Sequence, residues 1–254
     1  MRWLLVRAWL LLLCSVVGCS SLNPAFRLRK SAAEPVLSLD RGDFGYLHPL
    51  QPLNPSIEQM ALAVPQEVKD HTYLFFINGW DPYYFANFRG QCQHMKTLGY
   101  NNAYCGQTGH TGLFRQTIQR FARDDPSARI VVIGYSSGAN YARSLANQLK
   151  QDGVRIDLLV YLSGDTIKDV DRSRPDNVGR ILNITGHGSV FYGYDLLFCG
   201  QDIKGASNHR LDARHFMLPT RAEAMELLVQ YVVEMNRQPL PSPTSRSAHD
   251  GAWR

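Results

Sequence analysis

From Tyr73 onward, short apolar runs alternate with helix-like stretches, and this alternation leaves the chain few possible folds. Continuous runs of this length, rich in aromatic and β-branched residues, are typical of strands buried on both faces of a parallel sheet. They cover residues 73–78, 102–105, 129–135, 156–162 and 180–185. Strands that alternate with helices through right-handed crossovers predict a three-layer α/β/α sandwich with a mainly parallel sheet.

Two of the helices between these runs have sequence signals that mark where they begin or end. Asp81 followed by Pro82 is typical of an N-cap with proline at the first helical position, and this helix is expected to end at Gly99. Residues 139–150 carry an apolar stripe at spacings of three and four, which ends at Gly153. We therefore expect helices at both places.

A last helix is predicted over residues 224–235. Thr220 and Glu223 have the spacing of a capping box directly before it. At the other end of the chain, residues 20–70 contain many prolines and little periodicity, so only one short helix is expected there, near residues 57–64.

Composition and charge limit the class of protein. Hydrophobic residues make up 44% of the 254 residues and charged residues 19%, which is ordinary for a globular domain. The net charge is +5, or +3 without the two arginines of the leader, and this excess is too small and too scattered to predict nucleic-acid binding. We divide the chain into a leader (1–18), a tether and irregular wrapping segment (19–70), one α/β domain (71–237) and a loose tail (238–254).

The N-terminus has the pattern of an export signal. Two arginines precede an uncharged stretch, residues 8–17, that is too short to span a bilayer. The following Val-Val-Gly-Cys, residues 16–19, resembles the lipobox of bacterial lipoproteins, in which Cys19 would become the acylated first residue. The residue after Cys19 is Ser20, whereas an aspartate at this position would resemble an inner-membrane retention signal. The resemblance therefore implies an outer-membrane lipoprotein that faces the periplasm and is held there by its lipid.

Three further cysteines, Cys92, Cys105 and Cys199, would then lie in an oxidising compartment. We expect one disulfide and one free thiol. Cys92 and Cys105 are the preferred pair because they lie on a helix and on the strand that follows it, but the sequence does not fix their separation. No Cys-x-x-Cys or Cys/His spacing indicates zinc, so no metal is expected.

Residues 134–138 read Gly-Tyr-Ser-Ser-Gly and match G-x-S-x-G, the nucleophile elbow. The motif alone is weakly specific. Here it directly follows the run 129–135 and directly precedes the helix at residue 139, which is the strand-turn-helix context that an elbow needs. Ser136 is therefore the candidate nucleophile, and a small-residue turn without chemistry is the alternative.

With this motif, the chain resembles the α/β-hydrolase family over residues 73–236. In that family, the loop after an earlier strand supplies one oxyanion-hole amide, often within His-Gly-X. The matching string here is Asn-Gly-Trp-Asp at residues 78–81, with Asn78 where the family more often has His. The resemblance implies that the backbone amides of Trp80 and Ser137 stabilise the oxyanion. Asp81 is favoured as a helix cap over a catalytic role.

The resemblance also implies the chain order serine, acid, histidine. Apart from His249 in the tail, the histidines after the elbow are His187, His209 and His215. His215 is preferred as the base because it lies closest to the last helix, where the family has its catalytic histidine. An ordinary loop histidine is the alternative.

Two acids are candidates for the third member of the triad. Asp165 follows the run 156–162, at the carboxyl edge where α/β sites form. The more usual family position follows the next run, where the first acid is the distant Asp195. We choose Asp165 and expect a long loop at about residues 186–214 that shapes the substrate entrance.

Together these residues predict a serine hydrolase that cleaves a carboxylic ester or related acyl bond through an acyl-enzyme, as an esterase or lipase does. The substrate would be a small-molecule or lipid ester, with no cofactor, and we expect a monomer. Two alternatives stay open: an acyltransferase or peptidase with the same triad, and a non-catalytic envelope protein that binds or scaffolds on this fold. The sequence does not indicate the acyl chain length.

Overall fold

Six parallel strands form the middle layer of the fold. The computed structural model describes residues 49–79, 81, 86–164, 175–187 and 201–239, and all of them belong to one compact unit, Leu37–Arg254. The strands are β1 (Thr72–Asn78), β2 (Ala103–Gln107), β3 (Arg129–Tyr135), β4 (Ile156–Leu162), β5 (Val178–His187) and β6 (Ser207–Arg214). Their order is β2-β1-β3-β4-β5-β6, and each neighbouring pair is parallel.

Helices cover both faces of this sheet. They are α1 (Pro55–Leu62), α2 (Gln66–Asp70), α3 (Phe88–Thr97), α4 (Thr111–Asp124), α5 (Ser137–Gln151) and α6 (Ala222–Arg237). One apolar cluster joins a face of the sheet to α1, α3 and α6, and a second joins the other face to α4 and α5. The three-layer α/β/α sandwich with a parallel sheet is therefore confirmed.

Strands β3 and β4 lie at the centre of the sheet, and their sequences explain this position. Every residue of β3 is buried, with Val131 and Ile133 in one apolar cluster and Val132 in the other. Because a parallel strand covered on both sides needs apolar residues at odd and even positions, such a run reads as continuous rather than alternating. The bounds predicted for β3 and β4 agree with those observed.

The sixth strand was not expected. Residues 207–214 were assigned to a long loop, yet they form β6 and pair with β5, with an irregularity between Thr185 and His187. The segment is polar and mostly exposed, as an edge strand can be, so it lacks the apolar run that marked the inner strands. As a consequence, His215 directly follows a strand at the carboxyl edge of the sheet.

The helix predicted from Pro82 to Gly99 is not continuous within the described residues, because Ala86 and Asn87 are not helical. Helix α3 begins at Phe88, and its N-cap is Asn87, which adopts a left-handed φ of 42° and accepts from the amide of Gly90. Asp81 Oδ2 instead accepts from the amide of Ala86 at 3.0 Å. Asparagine tolerates the left-handed region, which explains how it caps the helix from this conformation.

The capping box predicted for the last helix is also wrong. Helix α6 begins at Ala222, and its N-cap Arg221 makes no side-chain capping bond. The Thr220 hydroxyl donates to the carbonyl of Met217 at 2.9 Å, while the amide of Ala222 donates to Gln51 Oε1 at 3.1 Å. A side chain distant in sequence thus takes the place of the local cap.

Two other predicted helices are present, whereas the preferred disulfide is not. The helices at 139–150 and near 57–64 are present as α5 and α1. Cys92 and Cys105 are free thiols rather than a disulfide, although they hydrogen-bond to each other, and this bond together with burial raises the pKa of Cys92.

The leader, Cys19, Cys199 and residues 240–254 lie outside the described residues. Within the described part, no helix is both long and apolar enough to cross a membrane.

Candidate active site

Ser136 lies in a sharp turn between β3 and α5. Its backbone has φ 55° and ψ −127°, a conformation that non-glycine residues rarely adopt. The amide of Ser136 donates to the carbonyl of Leu162 at 2.9 Å, which ties the turn to the end of β4. The surrounding sheet therefore maintains a strained backbone at this serine, as an elbow that presents a nucleophile requires.

Glycines allow this turn to pack tightly against β1. A Cβ added at Gly79 would lie 2.7 Å from the carbonyl oxygen of Tyr135 and 2.8 Å from Cβ of Ser136. A Cβ added at Gly138 would lie 2.2 Å from the carbonyl oxygen of Ile77. Both distances are too short for real atoms, so only glycine fits at these two positions.

His215 contacts Ser136 directly. Its Nε2 lies 2.9 Å from Ser136 Oγ, which is a hydrogen-bond distance. Ser136 is 6% exposed and His215 2% exposed. The structure thus brings together two of the sequence-predicted site residues, and it does so because β6 ends one residue before His215.

Tyr135 and Phe216 hold the imidazole in place. The Tyr135 ring stacks on the His215 ring, with centroids 5.2 Å apart and planes at 29°, and its hydroxyl donates to the His215 carbonyl at 3.2 Å. Phe216 meets the imidazole edge-on at 5.4 Å. Burial and, to a smaller extent, the charge of Asp81 raise the pKa of Tyr135 well above its usual value, so the hydroxyl remains a donor.

Burial also determines the protonation state of His215. Removal of the imidazole from water disfavours its charged form and lowers the pKa of His215 to about 4. The ring is therefore neutral at pH 7. A neutral imidazole whose Nε2 faces a serine hydroxyl can accept a proton from it, which is what a general base does.

The other ring nitrogen of His215 contacts a residue that was not among the sequence-predicted site residues. Nδ1 lies 2.7 Å from Oγ of Ser163, a fully buried residue directly after β4. The candidate acids Asp165 and Asp195 both lie outside the described residues. The place of Ser163 at the end of β4, at the carboxyl edge of the sheet, was a usable sequence signal, although a carboxylate is the more usual partner of a catalytic imidazole.

The candidate oxyanion site is described in part. Ser137 is the first residue of α5, so its amide lies at the positive end of the helix dipole. This amide is also adjacent to Gly79, where an added Cβ would lie 3.0 Å from it. Trp80 lies outside the described residues. Asn78 is buried, and its Oδ1 makes no hydrogen bond within the part of the chain that the structure describes.

The other candidate bases lie elsewhere on the sheet. His209 is part of β6, and its Nε2 lies 3.5 Å from the hydroxyl of Tyr231 on α6. His187 is the last residue of β5 and pairs with Arg214. Only His215 among the described histidines hydrogen-bonds to Ser136. No group of three or more His, Cys, Asp or Glu within the described ranges could hold a metal ion.

No protein-family model matches the chain, and no curated protein sequence matches it either. Among solved structures, the chain is similar to a Xanthomonas campestris protein described as a hydrolase of the alpha/beta superfamily, with 11% identity, 64% of this chain and 96% of that chain covered, and a TM-score of 0.42. Human thioesterase 2 is 12% identical, with 65% of this chain and 95% of that chain covered and a TM-score of 0.39. A YdeN-like hydrolase from Pectobacterium atrosepticum is 12% identical, with 73% of this chain and 100% of that chain covered and a TM-score of 0.42. At these values, function has to be argued from the residues of the chain itself.

Proposed function

We propose that the chain is a serine hydrolase that cleaves a carboxylic ester or related acyl bond. The observation that carries the proposal is the 2.9 Å contact between Ser136 Oγ and His215 Nε2 at a strained turn between a strand and a helix. A serine hydroxyl is a weak nucleophile unless a base removes its proton, and this geometry supplies the base.

The reaction follows from this pair. Ser136 Oγ attacks the acyl carbon while its proton passes to His215 Nε2. The carbon–oxygen bond to the alcohol then breaks, the alcohol takes the proton from Nε2, and the acyl group stays on Ser136. Water repeats the sequence: it gives a proton to Nε2, attacks the acyl carbon and releases the acid, after which the proton returns to Ser136. No cofactor is required.

The oxyanion of each tetrahedral intermediate needs hydrogen-bond donors. We assign this role to the backbone amides of Ser137 and Trp80. The position of Ser137 at the N-terminus of α5 supports the first assignment, while the second depends on the Asn-Gly-Trp-Asp string. Asp165 is retained as the proposed triad acid, which would stabilise the imidazolium that forms on His215.

Location and substrate belong to the same proposal. The lipobox-like residues 16–19 support attachment of the protein to a membrane through a lipid on Cys19, with the domain in the periplasm as a monomer. A small-molecule or lipid ester would then be the substrate. Mass spectrometry of the mature protein tests the anchor, which is rejected if Cys19 is found unmodified within a soluble chain.

Ester turnover tests the activity. The wild type is assayed on p-nitrophenyl esters of increasing acyl length, beside Ser136→Ala and the control Ser144→Ala, which removes an exposed hydroxyl on α5. The proposal expects turnover by the wild type and the control and none by Ser136→Ala. If no ester is turned over, or if Ser136→Ala retains full activity, the proposal is wrong, and a binding or scaffolding role gains support.

A further inference from the structure

A second buried serine holds the imidazole of His215 from its other nitrogen. We propose that Ser163 is a positioning residue for the reaction: its hydroxyl accepts a hydrogen bond from Nδ1 of His215 and keeps Nε2 directed at Ser136. The inference rests on the function proposed above for Ser136 and His215. The 2.7 Å distance from Ser163 Oγ to Nδ1 and the complete burial of Ser163 carry it.

The backbone of Ser163 is fixed in an unusual conformation. Its φ is +46°, in the left-handed region that few non-glycine residues occupy. Its amide donates to the carbonyl of Ile184 at 2.8 Å, which ties the residue to β5. Strain of this kind persists only where surrounding bonds maintain it, and it is concentrated at functional sites. Here the strained backbone belongs to the residue whose hydroxyl contacts the imidazole.

The two serines that flank the imidazole are also joined through the sheet. The amide of Ser136 donates to the carbonyl of Leu162, the residue before Ser163. Strands β3 and β4 are parallel neighbours, so their carboxyl ends present Ser136 and Ser163 side by side. The imidazole of His215 therefore bridges two hydroxyls that neighbouring strands hold next to each other, and a ring rotation would break both contacts.

The position of the hydrogen on the His215 ring determines what the Ser163 hydroxyl can contribute. A neutral imidazole carries one N–H, and Nε2 can act as a base toward Ser136 only if that hydrogen is on Nδ1. Ser163 Oγ can accept it and so favour the useful tautomer. A hydroxyl carries no charge, however, so it orients the ring without the ionic stabilisation of the imidazolium that a carboxylate provides. Ser163 is thus distinct from the triad acid in what it contributes.

Substitutions at position 163 test this role. Ser163→Gly removes the hydroxyl and suits a positive φ, so it should fold even if Ser163→Ala does not. Loss of one buried hydrogen bond should lower kcat by about ten- to a hundredfold and leave KM nearly unchanged. The matched control is Ser144→Ala, for which both constants should stay at wild-type values. If folded Ser163→Gly has wild-type kcat, the proposal is overturned.

Ser163→Asp gives a readout that a purely structural role would not change. Aspartate tolerates the left-handed region, and a carboxylate placed at Nδ1 should raise the pKa of His215 by about one to three units. NMR titration of the His215 ring measures this pKa without substrate. A shift of that size supports the contact, and an unchanged pKa in a folded variant overturns it.

The same NMR experiment separates this inference from the proposed function. In the wild type, the ring ¹⁵N signals should show hydrogen on Nδ1, and in Ser163→Gly the other tautomer should become populated. If these signals change but the wild type hydrolyses no ester, the contact stands as orientation of the ring and the hydrolase proposal fails. If the wild type hydrolyses esters but Ser163→Gly changes neither the tautomer nor kcat, only the positioning role fails.

Discussion

Ser136 and His215 are separated by 79 residues in sequence, yet Oγ of one lies 2.9 Å from Nε2 of the other. The contact depends on two separate parts of the fold. Ser136 projects from the turn after the central strand β3, whereas His215 follows β6 at the edge of the sheet. Tyr135, the last residue of β3, connects them because its ring stacks on the imidazole.

His215 should be the base, and His209 should not. His215→Ala removes the only described histidine that contacts Ser136, so ester turnover should fall to background. His209 lies in β6 and contacts Tyr231 instead, so His209→Ala should keep a near-normal kcat. Steady-state kinetics of both variants decide the matter, and turnover that survives in His215→Ala but not in His209→Ala would reverse the assignment.

The pH dependence of activity should reflect the burial of His215. Because the pKa of His215 is lowered to about 4, the free base persists well below pH 6.5, where an exposed histidine would be half protonated. The acid limb of kcat/KM should therefore lie near pH 4 rather than near pH 6.5. An acid limb at or above pH 6.5 would contradict this account of the site.

The same shift also affects folding. The unfolded chain takes up a proton on His215 near pH 6.5, whereas the folded chain resists protonation down to about pH 4. The contribution of this residue to the free energy of unfolding is thus present above pH 6.5 and lost as the pH falls toward 4. Urea titrations of the wild type and His215→Gln across this window isolate the effect, which should be missing in the variant.

Gly79 should be essential for the turn at Ser136. In Gly79→Ala, the new Cβ would meet the backbone of Tyr135 and Cβ of Ser136 at less than 3 Å, and no rotamer change can relieve a backbone clash. We expect a loss of about 1–3 kcal/mol in stability and at least a tenfold loss in kcat. Both are measured by urea unfolding and ester kinetics.

Gly112→Ala is the control for that variant. Gly112 lies in helix α4, and a Cβ added there would meet nothing within 4 Å. The substitution should raise stability by about 0.5–1 kcal/mol and leave turnover unchanged. Equal behaviour of the two alanine variants would show that the close packing at Gly79 does not matter for the site.

The two candidate acids give opposite expectations. If Asp165 is the triad acid, Asp165→Asn should keep the fold but lower kcat by about 10⁴, because a neutral amide cannot stabilise the imidazolium that forms on His215. Asp195→Asn should then have little effect. Kinetics of both folded variants settle the choice, since a large loss in Asp195→Asn with normal activity in Asp165→Asn would transfer the role.

The inner strands could be predicted because both of their faces are buried, so that nearly every residue along them is apolar. Strands β3 and β4 are continuous apolar runs, and Ser136 follows β3 within a motif of adjacent residues. Strand β6 escaped prediction because an edge strand can be polar, and its pairing with β5 depends on residues distant in sequence.

Contacts between distant residues explain the other misses. The side chain of Gln51 replaces the expected capping box at Ala222, and no local pattern reveals such a partner. Ser163 was overlooked for a similar reason, since a serine after a strand is common and only the position of His215 gives it a role. The choice of His215 over His209 was possible because the family resemblance implies a catalytic histidine just before the last helix.

Covalent labelling of Ser136 tests the central claim most directly. The purified wild-type protein is treated with a fluorophosphonate, digested, and analysed by mass spectrometry to locate the adduct. A nucleophile activated by His215 should give one phosphonylated site at Ser136, and Ser136→Ala should give none while Ser144→Ala labels like the wild type. An adduct on another residue, or equal labelling of the wild type and Ser136→Ala, would contradict the serine hydrolase mechanism.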